Sequence, residues 1–384
     1  MRDLPAECQP VIIAARRSPI TRRGGALSAL PLEELAAPVI RAALSDAGLP
    51  GDAISDVILG NAVGGGGNIA RLAALQAGLP LAVPGVTVDR QCGSGLEAVV
   101  LACRLIAAGA GDAYLAGGVE STSQAPIRAR PGPPPEPYAR ARFAPDAIGD
   151  PDMIEAADTV AARFGISRAR QDAFALSSHR RALAAAKAGR FAAEIVPMAG
   201  VQVDDGPRPT TSLQALAALP ARRPGGTVTA GNACPLNDGA AVLAITSRAR
   251  ARALGHTRAL AFVDAAAAGV DPNILGIGPV AAMAALRARR PDLTPDAARF
   301  IEFNEAFAAQ VLASLDQIGV EADRVNRDGG AIALGHPFGA SGAVLVVRLM
   351  AQARADGRPG DLGLAMMGIA GGIGLAAAFR VIAP

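Results

Sequence analysis

Residues 362–379 read LGLAMMGIAGGIGLAAAF, eighteen residues without a charge. A run like this either crosses a membrane or lies in a core with neighbours on both faces. A membrane helix needs about 20 apolar residues that are content to be helical. Five of these eighteen are Gly, with the pair Gly371-Gly372 in the middle. Gly clusters break helices and make turns. The spacing therefore predicts a strand, a turn and a second strand, buried inside the protein and close to a site, with no membrane span.

The rest of the chain agrees with a large core. Of 384 residues, 51% are hydrophobic and 18% charged, which excludes a disordered chain. The length suits two or three domains or one large α/β unit. Aromatics are only 3% and Trp is absent, so the core is Ala, Val, Leu and Ile packed closely around Gly. Net charge is +3 with both signs spread along the chain, and nearly every cation is Arg, Lys187 being the lone lysine. No basic stripe interleaves with aromatics, so nucleic acid is not an expected partner. Cys8, Cys92, Cys103 and Cys234 form no CxxC pair and no regular framework. That predicts a reducing compartment and no metal site. The start, MRDLPAECQPVIIAARRSP, lacks the form of a signal peptide, so the expected location is cytoplasmic.

Short apolar runs alternate with Ala-rich helical runs. Strands are predicted at 11–15, 56–61, 85–90, 113–120, 241–247, 259–268, 300–306 and from 362 onward; helices at 32–48 and 97–111. This alternation predicts a parallel-rich sheet covered by helices. The middle differs. ARPGPPPEPYARARFAP (129–145) is too Pro-rich for regular structure throughout. Two helices follow, 152–164 and 168–188, so 121–230 reads as a long insertion over one face of the core, of the kind that carries ligand contacts. There is also an internal echo. VDRQCGSGLEAVVLACRLIAAG in the first half and VNRDGGAIALGHPFGASGAVLVVRLMAQ in the second are each a polar turn, a Gly-rich loop and an Ala/Val helix. Each precedes a Gly-rich apolar strand, which places the two loops face to face about a pseudo-twofold.

Three segments carry chemistry. Cys92 stands between a strand-like run and a helical run, followed by Gly93 and Gly95. A thiol at a helix start meets the positive end of the dipole, which lowers its pKa and leaves backbone N–H groups free for an oxyanion. The alternative is a buried Cys in a tight turn. His336, in GGAIALGHPFGASG, sits in a Gly-rich loop before a helix, where it activates a thiolate, donates to an oxyanion, or merely braces the loop. In EFNEAFAAQ, Asn304 is placed to hold a water or donate a hydrogen bond, and Glu305 to cap a helix. His179 and His256 lie on polar, Arg-rich stretches and are expected at the surface.

Taken together these segments resemble the thiolase family, which makes or cleaves 3-oxoacyl-CoA thioesters. The resemblance runs nearly the whole chain: AARRSPI, the Cys loop, AGGVES, GISRARQDAFALSSHRRA, TVTAGNACPLNDGAA, NEAFA, ALGHPFGASG and the Gly-rich end. It implies an α/β thiolase fold: two similar βαβαβαββ halves layered α/β/α/β/α, with an inserted loop domain. The first half is 1–120 with 231–250, the inserted covering domain 121–230, and the second half 251–384. By the same resemblance Cys92 is the nucleophile that takes the acyl group, and His336 activates it and helps bind the thioester oxygen. Asn304 positions a water in that oxyanion hole, while the N–H of Cys92 serves a second hole. The block around Cys234 walls the pantetheine tunnel. Substrates are acyl-CoA thioesters, with no cofactor and no metal, and the assembly is a homodimer or homotetramer.

The pattern breaks at the C-terminal run. The family carries a second cysteine there, in a C-x-G-G-G block, which moves the proton on and off the α-carbon. The matching stretch here is GIAGGIG, with Gly368 in place of the thiol and Ala370 in place of a glycine whose N–H completes the second hole. Some relatives carry the cysteine at the position of Ala306 instead, so that rescue is absent too. Cys234 replaces a serine beside the pantetheine and is a candidate replacement base. In LPARRP, Arg222 and Arg223 are the cations left to meet CoA phosphates. Losing a positioned acid/base costs about 10²–10⁴ in rate. Acylation of Cys92 does not need that thiol; ordinary Claisen condensation does. The expected function is a C-acyltransferase forming an acyl-enzyme at Cys92. The alternatives are decarboxylative condensation or transfer to another acceptor, and a degenerate homologue that binds acyl-CoA without turnover.

Overall fold

The structure is a computed structural model and describes residues 5–384. Among the described residues the strands are β1 (Pro10–Arg17), β2 (Thr21–Arg22), β3 (Asp56–Gly60), β4 (Gly85–Val88), β5 (Ala113–Ser121), β6 (Arg128–Arg130), β7 (Glu136–Tyr138), β8 (Asn237–Ser247), β9 (Ala259–Gly269), β10 (Ala298–Phe303), β11 (Leu362–Ile369) and β12 (Ile373–Ile382). Ten lie in one sheet, in the order β10-β11-β12-β9-β1-β8-β5-β3-β4 with β2 beside β8, and β6 and β7 pair separately. The uncharged C-terminal stretch is the hairpin β11–β12, in antiparallel register from Leu362↔Arg380 to Ile369↔Ile373. Gly371 and Gly372 make its turn at φ 83° and 76°, a region that favours glycine. No helix among the described residues is long and apolar enough to cross a membrane.

The two halves repeat. In the first, β3 runs parallel to β5, β5 antiparallel to β8, and β8 antiparallel to β1. In the second, β10 runs parallel to β11, β11 antiparallel to β12, and β12 antiparallel to β9. The half-sheets join where β1 meets β9, only at Val11↔Ala261 and Ile12↔Leu260. The sheet is mixed, not the parallel-rich one expected: only β3–β4, β3–β5 and β10–β11 are parallel. The last strand of the second half, β12, returns directly through the tight turn, while β8 of the first half returns after the long excursion, and each pairs antiparallel with its predecessor.

Strand side chains alternate with period two, and here the two faces have different neighbours. On β11, Ala365, Met367 and Ile369 enter a central cluster, while Leu364 and Met366 enter an outer one. On β8, Leu243 and Ile245 face the centre and Val242 and Ala244 the other outer cluster. The central cluster is filled by the helices Ser94–Ala107 and Phe338–Asp356. The outer clusters are filled by Leu32–Ala47 and Ile69–Gln76 on one side, and by Gly278–Arg289 and Ala308–Ile318 on the other. Helices thus alternate with half-sheets in five layers, and both faces of the strands are apolar because both are covered.

The two central helices meet through glycine. A β-carbon on Gly95 would lie 2.7 Å from the Gly339 carbonyl oxygen, and one on Gly342 would lie 2.4 Å from the Leu96 nitrogen. One on Gly118 of β5 would lie 1.9 Å from the same Gly339 oxygen. Backbones approach where side chains would have stood.

The excursion 121–230 contains the helices Met153–Arg163, Arg168–Lys187 and Leu213–Ala217. Val160, Phe174 and Leu216 pack into the outer cluster of the second half beside Ile301 and Leu364. Its later part is fastened by charge. Buried Arg17 of β1 donates to Glu194 at 2.7 Å and Asp204 at 2.6 Å. Arg348, on the second central helix, donates to the same Glu194 and to Asp328. One ion network therefore ties both halves and the excursion together.

Gly342→Ala is expected to lower stability by about 1–3 kcal/mol, the cost of overpacking a full contact. Gly363→Ala serves as the control, because its new β-carbon meets only the flexible Leu349 side chain at 3.3 Å. Urea unfolding of both variants beside the parent checks this; equal midpoints for the two would contradict the close contact.

Candidate active site

Cys92 closes a tight turn after β4. Gln91 sits at φ 47°, unusual for a residue with a β-carbon. Ser94 locks the turn: its Oγ donates to the Gln91 carbonyl at 2.6 Å and accepts from the Arg90 N–H at 2.9 Å. Gly93 is the N-cap of the helix Ser94–Ala107, and a β-carbon there would lie 2.3 Å from Cδ1 of Ile369 on β11. The sulfur is thus at a helix start, as expected, and close against the C-terminal hairpin.

The backbone N–H groups of Cys92 itself and of Ala370 hydrogen-bond toward that sulfur and lower its pKa. Burial outweighs them, and the thiol is pushed up to about 12, with Glu120 and Asp89 adding to the rise. The sequence led us to expect the opposite direction. Desolvation of a thiolate costs more than two N–H groups and a helix end return. Ala370 is not among the residues at positive φ, so its side chain brings no backbone strain there.

His336 lies two residues before the second central helix, as Cys92 does before the first. Asn237 Oδ1 accepts the His336 backbone N–H at 2.9 Å. On the ring, Nδ1 is 2.6 Å from Ser341 Oγ, which is also 3.0 Å from the Pro337 carbonyl. Nε2 is 3.4 Å from Asn304 Nδ2. A hydroxyl has one proton. Given to Pro337, it makes Ser341 an acceptor for Nδ1–H and leaves Nε2 bare and basic; given to Nδ1, it makes Nε2 an N–H donor. Burial holds the imidazole down at about 3, so it is neutral at physiological pH.

Asn304 follows β10, its N–H donating to the Met366 carbonyl at 3.0 Å. Glu305 does not cap the next helix, Ala308–Ile318, which starts without a side-chain cap. Instead it accepts from Ser178 Oγ and Asn326 Nδ2, each at 2.7 Å, and from the Ile332 N–H at 3.1 Å. It braces the His336 loop against the excursion. Cys234 packs near Phe307 and beside Cys92; burial raises its thiol and Cys92 adds to the rise, which disfavours it as a base. Arg222 is exposed, whereas Arg223 is engaged by Asp152 at 3.3 Å and Glu155 at 3.1 Å. His179 is not at the surface: it is buried, accepts from the Arg208 N–H at 3.3 Å, and is held down at about 4. His256 is half-buried against the Ala47 carbonyl at 3.0 Å. No cluster of potential metal ligands occurs among the described residues.

Gly368, the penultimate residue of β11, borders a pocket that also contains Cys92, Gly276, Phe307 and Gln310. The Gln310 side chain reaches into the place a Gly368 side chain would take. A β-carbon on Gly368 would lie 2.5 Å from Gln310 Nε2. Sequence reasoning missed Gln310, Ser341 and Glu120. Gln310 is a lone amide in the apolar run AFAAQVLA, and that was the available signal.

Two family models match the chain: "Thiolase, N-terminal domain" over residues 10–249 and "Thiolase, C-terminal domain" over 257–381. The chain is 45% identical over 379 residues to a Bacillus subtilis (strain 168) protein named "Putative acetyl-CoA C-acetyltransferase YhfS", covering 97% of this chain and 99% of that one. It is 45% identical over 382 residues to VraB of Staphylococcus epidermidis (strain ATCC 35984), a protein with the same descriptive name, covering 97% and 98%. The solved structure of the Bacillus anthracis acetyl-CoA acetyltransferase aligns with a TM-score of 0.89 at 36% identity, over 98% of this chain and 100% of that one.

The raised thiol has a direct consequence. Iodoacetamide alkylation of Cys92, followed by mass spectrometry, is expected to be slow at pH 7. It should keep rising with pH beyond the free-thiol value of about 8.5, because the thiolate fraction grows until the raised pKa is passed. A plateau already reached near pH 7 would mean a stable thiolate–imidazolium pair.

Proposed function

This chain belongs to the thiolase family, and we propose that it is an acyl-CoA C-acyltransferase whose acyl-enzyme forms on Cys92. The observation that carries this reading is the meeting of Cys92 with two backbone N–H groups, its own and that of Ala370, at the mouth of a helix. Cys92 Sγ attacks the thioester carbonyl as its proton passes to His336 Nε2. The tetrahedral oxyanion is received by the Cys92 and Ala370 N–H groups. Collapse breaks the carbon–sulfur bond to CoA, and the departing thiolate takes the proton back from His336. Asn304 Nδ2 and His336 Nε2, 3.4 Å apart, form the second hole, for the oxygen of the incoming thioester.

Both partners are neutral at rest, so proton transfer accompanies attack instead of preceding it. The Ser341 hydroxyl suits both phases, since its rotation allows Nε2 to be base in one and donor in the other. Gly368 is the position of the lost acid/base thiol in this reading, and the weak point is therefore carbon–carbon bond formation, not acylation. Cys234 walls the pantetheine channel and Arg222 faces the CoA phosphates; Arg223 is a poorer candidate because Asp152 and Glu155 already hold it. The halves divide at 1–120 with 231–250, and 251–384, with 121–230 as the covering domain. A homodimer or homotetramer in the cytoplasm fits the family.

Incubation with acetyl-CoA is expected to yield an acetyl adduct on Cys92, lost in Cys92→Ala and detected by intact-protein and peptide mass spectrometry. Adduct persisting elsewhere on the variant would refute the assignment. Asn304→Ala is expected to lower turnover about 10²–10³-fold, the usual loss of one oxyanion donor, while leaving the adduct in place.

A further inference from the structure

Gln310 is 2% exposed, yet neither its Nε2 nor its Oε1 meets a hydrogen-bond partner within the protein. Buried amides are nearly always paired, with protein or with ordered water. The stem of this one is pinned: a β-carbon on Gly276 would lie 2.8 Å from Gln310 Cγ. The amide borders a cavity shared with Gly368 and Cys92, whose volume is about 10 Å³, room for one water and no more. Polar partners for that water are in place. The point where a Gly368 β-carbon would stand is 2.5 Å from Gln310 Nε2 and 3.5 Å from the Gly276 carbonyl oxygen. That oxygen accepts from Ser314 Oγ at 3.0 Å and keeps a second lone pair. The rest of the lining, Met153, Ala157, Leu275, Ala306 and Phe307, is apolar.

We propose that Gln310 and the Gly276 carbonyl hold one water in the space left by the missing Gly368 side chain, and that this water hydrolyses the Cys92 acyl-enzyme, making the chain an acyl-CoA hydrolase. This rests on the acyl-enzyme reading above. A side chain at residue 368 would fill the same space, so its loss is what admits the water. A proton carrier is thereby exchanged for a nucleophile. The step balances. The proton of acylation has left with the CoA thiol, so His336 Nε2 is bare when the water attacks. The water oxygen bonds to the acyl carbon, and one of its protons passes to Nε2. The carbonyl electron pair moves onto oxygen, before the Cys92 and Ala370 N–H groups that served acylation. Collapse breaks the carbon–sulfur bond, and the Cys92 thiolate takes the proton from His336. The carboxylic acid leaves and ionises in solvent. Thioester and water have become carboxylate, CoA thiol and one proton. No α-carbon is deprotonated, so the thiol missing at Gly368 is not needed. Water is a neutral nucleophile, and the otherwise dry pocket carries no charge until bonds change.

The test uses the full chain. Acetyl-CoA is added, the protein is freed of CoA and its thioesters by rapid gel filtration, and the acetyl adduct is followed by intact-protein mass spectrometry after acid quench. With no second thioester and no CoA present, water is the acceptor that remains. Loss from the folded parent is expected at least ~100-fold faster than from the same adduct unfolded in urea, the low end of general-base catalysis. Gln310→Leu should still acylate and should hold the adduct about 10–100-fold longer, the cost of a misplaced nucleophile. Gly368→Ala keeps the amide and removes the water: its methyl fills the site and presses on the flexible end of Gln310. It should slow discharge by a similar factor, and it serves should Gln310→Leu fail to fold. A parent adduct as durable folded as unfolded overturns the proposal. Unchanged discharge in either folded variant also overturns it, and that is the result a merely space-filling water would give. An adduct trapped in the variants but too short-lived to trap in the parent supports it. No adduct in any of the three overturns the Cys92 reading itself.

Discussion

The contact on which everything else depends is the crossing of two buried helices through bare backbone. Cys92 is three residues ahead of Gly95, and His336 three ahead of Gly339, and a β-carbon on Gly95 would sit 2.7 Å from the Gly339 oxygen. Two helix starts are thereby brought together, Cys92 standing just ahead of one and His336 just ahead of the other. The central strand β5 enforces the same point twice. Its Gly118 lets the Gly339 carbonyl come near, and its Glu120, buried, accepts the N–H groups of Ala62 and Gly339 at 2.9 Å each. That carboxyl is raised to about 7 by burial, and its backbone donors pull it back down. Its ionised form would satisfy the orphan N–H at the head of the second helix, the end where negative charge is favoured.

Much of this was legible because it is periodic. Strands covered on both faces read as uninterrupted apolar runs, and every predicted strand has a counterpart in the fold. The internal echo between the Cys92 and His336 segments appears as matching strand order in the two halves. What could not be read is what depends on depth. His179 sits among arginines in the sequence, and that made it look exposed; its burial comes from the excursion packing over the core. Glu305 stood at a helix start and looked like a cap, but in space Ser178, Asn326 and Ile332 surround it. The direction of the Cys92 shift was misjudged for the same reason: the helix end is visible in sequence, the amount of water removed is not. Gln310 is the sharpest case, since its significance lies in a residue 58 positions away having no side chain.

These depth effects act in one direction. The thiol is raised, the imidazole lowered, and the only other polar group lining the pocket beyond them is an uncharged amide. A site of this kind cannot hold a resting charge, so charge must arrive with the substrate or appear only as bonds change. Acylation meets that condition because the proton leaves sulfur as the carbon–sulfur bond forms, and the new negative charge lands on oxygen before two N–H groups. Deprotonating an α-carbon does not meet it, since an uncompensated base would have to stay charged in a dry pocket. The unpaired Gln310 amide lowers stability in the empty chain, and such local violations concentrate where function has been placed ahead of packing.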